Sequence, residues 1–369
     1  MYKKLQINIF IIFISSFLSA QEKDGKHLFN IDGFETSYND GVVMPHNETI
    51  DFLTRDYIRS FSLNFLYHTN GEKLWQKLYH NPQLGWGYSY STLGNKKIFG
   101  DAHSIYSFFE APVLSIHDKA QINYRLAFGL SYVTKTFDLK NNYSNIAIGS
   151  NINMYFNLML NAAIKLTNDY HIFGATGLTH FSNGKVKAPN KGINTITTSA
   201  GLRYYFNHNT YRKKPEIEIP EIERKGKFSI IWSHGTTKYN RLIDKPFYIS
   251  SLNASYERKY KHWAQYGFGL DAFYNGSLKI QIENYPDENF NKDALYRLGA
   301  HLSHDFLVGD VALTIQLGHY IYNKRFFITD FYNRVGLKYY FSDHWLLNVS
   351  LKSHYANAEF IEFGIGYYL

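Results

Sequence analysis

The chain has no cysteine, which excludes a disulfide framework and any thiolate-bound metal. Beyond residue 20 it has no run of about 20 apolar residues, so no later segment can cross a bilayer as a helix. Concentrated basic charge is missing as well: 39 Lys and Arg face 31 Asp and Glu, but they are spread thinly, with one cluster at Arg212-Lys213-Lys214. Nucleic acid is therefore not an expected partner. The common catalytic signatures are also absent, with no G-x-S-x-G elbow, no H-E-x-x-H helix, no Walker loop and no complete dinucleotide fingerprint. No metal and no cofactor is expected.

What is abundant is aromatic. Tyr 32, Phe 29 and Trp 5 make up 18% of the 369 residues, too many to stay solvated in a disordered chain. The first twenty residues read as a signal peptide: Lys3 and Lys4, an apolar stretch from Ile7, and small Ser19-Ala20 before Gln21. After export, the pattern that dominates has a period of two. Between Gln121 and Val133, Ile122, Tyr124, Leu126, Phe128, Leu130 and Tyr132 share one face, while Asn123, Arg125, Ala127, Gly129 and Ser131 share the other. The same alternation recurs at residues 196–206, 311–317, 335–341 and 361–369.

A soluble sandwich alternates too, but its strands are usually shorter and its inner faces carry few aromatics. Long segments with aromatics toward their ends and a polar second face fit an all-β fold, a transmembrane antiparallel β-barrel of the outer-membrane type. Counting from Tyr57 gives about 14 strands, within a range of 12–16. The proline-punctuated charged stretch at residues 207–227 divides the chain into a barrel half at 57–206 and a second at 228–369, with 21–56 as a lead-in or plug. A single larger barrel is the simpler reading, and two small barrels in tandem the alternative. A faint echo aligns Asp169–Asn183 with Asp343–Asn357, pairing His180 with His354.

One segment carries unusual chemistry, Thr179 to Asn194 (THFSNGKVKAPNKGIN). His180 and Ser182 leave the same face of a strand with Cα atoms roughly 6.6 Å apart, so a base can reach a hydroxyl. The turn formers Asn183-Gly184 and Pro189-Asn190-Lys191-Gly192 can fold back and return Asn190 and Asn194 toward the pair. An amide donor for an oxyanion and a carbonyl acceptor for the second imidazole nitrogen would then be at hand.

This H-x-S-N followed by P-N-x-G resembles the active-site segment of the lipid A 3-O-deacylases, the acyloxyacyl hydrolase-type outer-membrane proteins. The resemblance extends over roughly Val43 to Phe206. Tyr79-His80-Asn81-Pro82, Gly85-Trp86-Gly87-Tyr88-Ser89-Tyr90 and Phe99-Gly100 are similar to the family's early strands, and Arg125–Tyr132 and Asn141–Asn153 to its middle ones. From Phe228 onward only a generic barrel pattern is legible. The resemblance implies a serine esterase that hydrolyses an ester-linked acyl chain of lipid A in the Gram-negative outer membrane. Ser182 would be the nucleophile, His180 its general base, and Asn190 with the backbone near Gly184 the oxyanion hole. The family's third member is commonly a glutamate where this sequence has Asn194. A Ser-His-Asn arrangement is therefore expected, with Glu110 as the alternative acid. Lys185, Lys187 and Lys191 could pair with the phosphates of lipopolysaccharide, or simply be solvated. The rival functions are a non-catalytic pore, an assembly component, and a lipopolysaccharide-binding barrel.

Overall fold

The structure is a computed structural model that describes residues 31–369 apart from 47, 118, 207–216, 241, 244, 281–291, 325–328 and 356. The expected signal peptide at 1–20 and the Arg212-Lys213-Lys214 cluster lie outside the described residues.

The strands close twice. β1 (Gly33–Val43) through β8 (Ile193–Tyr205) form one closed antiparallel barrel, and β9 (Gly226–Lys238) through β16 (Asn357–Tyr368) form another. This corrects the reading of one barrel of about 14 strands. Each half finds its own edge partner: β1 pairs with β8 from Gly33↔Tyr205 to Val43↔Thr195, and β16 pairs with β9 from Ile361↔Thr236 to Tyr368↔Ser229. Closure leaves no unpaired edge, which a strand in hydrocarbon cannot tolerate. The strand that completes the first barrel comes from the segment expected as a lead-in or plug. In β1, Phe34 and Tyr38 are exposed while Glu35, Ser37 and Asn39 are buried, so it carries the same apolar-out, polar-in alternation as its neighbours.

Eight strands enclose a space that side chains can fill. In the first barrel a four-membered ring of charges spans the interior. Arg125 on β5 (Ala120–Val133) and Arg203 on β8 each bond Glu35 on β1 and Glu110 on β4 (Asp101–Ile116), at 2.6–2.9 Å. Asn64 donates to Glu35 at 2.7 Å and Asn161 to Glu110 at 3.0 Å. The second barrel stacks its own ion groups, Lys338 with Glu257 and Asp305, Arg334 with Asp271 and Glu362, and Glu359 with Arg297 and Lys352. What space remains is small: a Ser- and Thr-lined polar cavity of about 40 Å³ in the first barrel and one of about 10 Å³ in the second. Cavities of this size have room for water.

The two rims of the first barrel differ. At the rim where its ends meet, exposed Phe34 and Tyr170 flank half-buried Tyr204, with ring centroids 5.4 and 5.0 Å from it, as in an interfacial aromatic girdle. At the opposite rim the connections from β1 to β2 (Ile58–His68), from β3 (Gln83–Thr92) to β4, from β5 to β6 (Ile152–Lys165) and from β7 (Tyr170–Ser182) to β8 fold onto one another around fully buried Ile50, Leu93, Phe99, Ala147 and Ile148. Two asparagines bracket this cap. Asn95 donates to Leu53 O at 2.6 Å, and Asn145 donates to Ile98 O and Lys135 O at 3.0 and 3.1 Å. Of Asn141–Asn153, expected as strand, the part up to Asn151 belongs to this cap, and β6 (Ile152–Lys165) takes up only the last two residues.

Candidate active site

β7 (Tyr170–Ser182) settles which way its side chains point. Phe173 and Phe181 are 5% and 1% exposed and face the barrel interior, whereas Ile172 and Leu178, at 41% and 39%, face outward. His180 and Ser182 share the outward parity, so they sit on the lipid-facing side at the capped rim. The strand register then supplies the third residue: His180 lies directly across from Asn194 on β8. His180 Nδ1 and Asn194 Oδ1 are 2.5 Å apart. An amide oxygen only accepts, so with Oδ1 toward it the imidazole would carry its proton on Nδ1 and leave Nε2 bare, the tautomer of a general base.

Ser182 is the last residue of β7, one beyond the final β7–β8 pair, Phe181↔Ile193, and is 6% exposed. Its hydroxyl makes no hydrogen bond to His180 among the described residues; such bonds commonly tighten only when substrate is bound. Asn190 Oδ1 accepts the Asn183 backbone N–H at 2.9 Å, which turns the strand exit and leaves the Asn190 amide NH₂ as its donor. Asn183 in turn donates to Ser150 Oγ at 2.8 Å. Gly184 and Lys185 follow with φ of +59° and +68°, a tight left-handed turn, and Lys187 lies in the same connection. Lys191 contributes its backbone: its N–H donates to Ile146 O at 3.3 Å, as that of Gly192 does to Ala147 O at 3.0 Å. The cap therefore fixes the return of the β7–β8 connection.

Gly192 closes over the pair. Its φ is +76°, and a Cβ there would stand 2.9 Å from His180 Cε1 and 3.1 Å from Phe181 O. Gly192→Val is accordingly expected to lower any turnover that uses His180 at least ~10-fold while the barrel still folds, because it strains the turn and displaces the imidazole. Activity equal to wild type in a heat-modifiable, folded variant would refute this close approach.

Two acids and two histidines need placing. Glu110 points into the barrel, where it is held by both arginines, on the opposite face from His180, and cannot serve as its partner. His354 does sit on the seventh strand of the second barrel, as His180 does on that of the first, so the echo falls on equivalent strands. However, a bulge between Lys352 and Ser353 breaks the alternation, and His354 bonds the Tyr320 hydroxyl at 2.9 Å. The interior of the second barrel also holds Ser255, His301 and Asp271 at triad distances, 3.1 Å for Ser255 Oγ to His301 Nε2 and 2.8 Å for His301 Nδ1 to Asp271 Oδ2. All three are 4% exposed or less, and the Ser255 hydroxyl donates to Asn253 Oδ1 at 2.8 Å. This group is part of the buried polar interior of the second barrel.

A residue missed in the sequence, His46, completes the outward-facing cluster. Its Nδ1 lies 3.1 Å from Asn194 Nδ2, and its Nε2 lies 2.8 Å from Lys191 O. It is brought there because Met44 N–H continues the β1 ladder onto Asn194 O at 2.8 Å. Nothing local in the sequence marks it, since its position depends on the β1–β8 closure.

Residues 59–203 match the family model described as lipid A 3-O-deacylase (PagL), and residues 226–369 match the model described as acyloxyacyl hydrolase, C-terminal domain. The second half, generic in sequence, thus has a family model of its own. Among solved structures, the outer membrane enzyme PagL aligns at 18% identity over 45% of this chain and 97% of that one, with a TM-score of 0.30. Neisserial surface protein A aligns at 13% identity over 47% and 97%, with a TM-score of 0.31. A triple mutant of Rhodopseudomonas blastica porin aligns at 9% over 91% and 99%, with a TM-score of 0.18. No curated protein matches the chain. The chain is a carboxylic ester hydrolase of the lipid A 3-O-deacylase type, with the deacylase domain in its first barrel and the acyloxyacyl hydrolase C-terminal domain in its second.

Proposed function

We propose that the first barrel hydrolyses an ester-linked acyl chain of lipid A through Ser182, His180 and Asn194, from within the outer membrane of a Gram-negative cell that the chain reaches by the signal peptide at 1–20. The observation that carries this reading is the 2.5 Å approach of His180 Nδ1 to Asn194 Oδ1 on the outward parity of β7, which Ser182 shares. A substrate anchored in the bilayer meets such a site laterally, without entering the barrel. The rim supports the same reading: both ends of the barrel lie at the opposite rim, and outer-membrane barrels turn their longer connections outward, toward the leaflet that holds lipid A.

In the reaction, Ser182 Oγ bonds the ester carbonyl carbon while its proton passes to His180 Nε2. The carbonyl oxygen becomes an oxyanion, for which the Asn190 amide NH₂ and the backbone N–H at Gly184 are the proposed donors. Collapse of the tetrahedral species breaks the bond to the sugar oxygen, which leaves with the proton from His180. A water, deprotonated by the same imidazole, then attacks the acyl-enzyme and releases the fatty acid and Ser182. Lys185, Lys187 and Lys191 are the proposed partners of the lipid A phosphates.

The test is mass spectrometry of purified lipid A incubated with the detergent-solubilised full chain. Loss of one acyl mass, with release of the matching fatty acid, is the expected result, and Ser255→Ala is expected to retain it in full, since that serine is sealed in the second barrel. Unchanged lipid A would leave a binding barrel as the better reading. Activity lost in Ser255→Ala with the fold intact would move the chemistry to the other barrel.

A further inference from the structure

We infer that His46 is a positioning residue for this esterase, and that it does for Asn194 what the chemistry of a carboxylate would do unaided. The inference rests on the Ser182–His180 reading above and concerns how that pair is kept in the right tautomer.

A carboxylate facing an imidazole can only accept, so it forces the proton onto the facing nitrogen whichever oxygen is used. An asparagine is ambiguous. Flipped by half a turn, it offers NH₂ instead of oxygen, the facing nitrogen must then accept, and the imidazole proton moves to Nε2, where it blocks removal of the serine proton. Asn194 therefore needs something that prevents the flip.

The contacts around it run in one direction. Lys191 O is a backbone carbonyl and can only accept, so the His46 Nε2 at 2.8 Å carries a hydrogen. Neutral His46 then has a bare Nδ1, which accepts from the Asn194 NH₂ at 3.1 Å. With the NH₂ committed to His46, Oδ1 is turned to His180 Nδ1 at 2.5 Å, and His180 Nε2 is left bare on the side of Ser182. Each bond fixes the next, and the starting point is a carbonyl that cannot change role. Lys191 is itself tied to the cap through Ile146 O, so the anchor is part of the folded rim.

Four proteins test this: wild type, His46→Ala, Asn194→Glu and the double variant, each as full chain in detergent, assayed for acyl release from lipid A, with Ser182→Ala alongside. His46→Ala is expected to lower kcat about 10-fold at unchanged KM, because an unfixed amide spends part of its time flipped. In the Asn194→Glu background the same substitution should change kcat by less than about two-fold, since a carboxylate needs no orienting. A second readout is independent of turnover. The imidazole ¹⁵N resonances of His180, assigned by their loss in His180→Ala, should report one Nδ1–H tautomer in wild type and a mixture in His46→Ala. Equal losses in both backgrounds, wild-type kcat in His46→Ala, or an unaltered His180 tautomer would each overturn the inference. An active Ser182→Ala would instead overturn the nucleophile assignment, so the two failures are distinct.

Discussion

Ser182→Ala and His180→Ala are each expected to reduce single-turnover release of fatty acid from lipid A on the order of 10⁴-fold, and the double substitution to reduce it no further. Nucleophile and base act as one device: a serine hydroxyl without a base is a poor nucleophile at neutral pH, and a base without the hydroxyl has nothing to activate, so the losses do not add. What survives in either variant is what substrate binding and the oxyanion donors achieve alone. The fold gives a clean background for this measurement. His180 is on the outward parity, where it supports no interior packing, and Ser182 lies one residue past the last β7–β8 pair, joined to Met154 of β6 through its backbone alone. Both variants should therefore keep the heat-modifiable migration of a closed barrel. Additive losses would mean that the two residues act in separate steps. More than a tenth of wild-type activity in Ser182→Ala would remove it as the nucleophile.

The parts of this architecture that depend on neighbours in sequence were legible from sequence, and those that depend on closure were not. Strand character is local: Ile122 to Tyr132 alternate because successive side chains leave opposite faces, and the structure places that greasy face outward and Asn123, Arg125 and Ser131 inward. Which strand pairs with the first is decided by residues far apart, such as Val43 and Thr195, and no periodicity reports it. The stretch at 21–56, which contains Gly33–Val43, reads as a lead-in or plug because its alternation is weak. Its inward Glu35 makes sense only opposite Arg125 and Arg203. With that strand missing, the count favoured a single barrel near 14 strands, although the charged stretch at 207–227 already marked the boundary between two. The site divides in the same way. His180, Ser182, Asn190 and Asn194 lie within one hairpin and could be read from its turn residues. His46 arrives through the closing pair and could not.

The second large effect falls on stability rather than rate, and its residue is Glu35. Replacing it with alanine is expected to destabilise the first barrel by about 3–5 kcal/mol, because it leaves two buried guanidiniums short of a partner. Arg125 reaches Glu35 at 2.6 Å from β5 and Arg203 reaches it at 2.6 Å from β8, while Asn64 donates to it at 2.7 Å from β2 (Ile58–His68). One carboxylate thus joins strands from different sides of the barrel. Glu110 cannot compensate, since it is already bonded to both arginines at 2.7 and 2.9 Å. The comparison that isolates the cause removes the whole ring, with Glu35→Leu and Glu110→Leu combined with Arg125→Met and Arg203→Met. Apolar side chains of similar volume carry no charge to leave unpaired, so this quadruple variant should be much closer to wild type than Glu35→Ala alone. Urea unfolding of the full chain in detergent, followed by the protease resistance of each barrel, measures both. The second barrel, whose Lys338, Arg334 and Lys352 groups share no member with the ring, should keep its midpoint in every variant. A first-barrel midpoint unmoved by Glu35→Ala would show that the ring fills space without holding the strands together, and a quadruple variant weaker than the single one would show that the charges themselves specify closure.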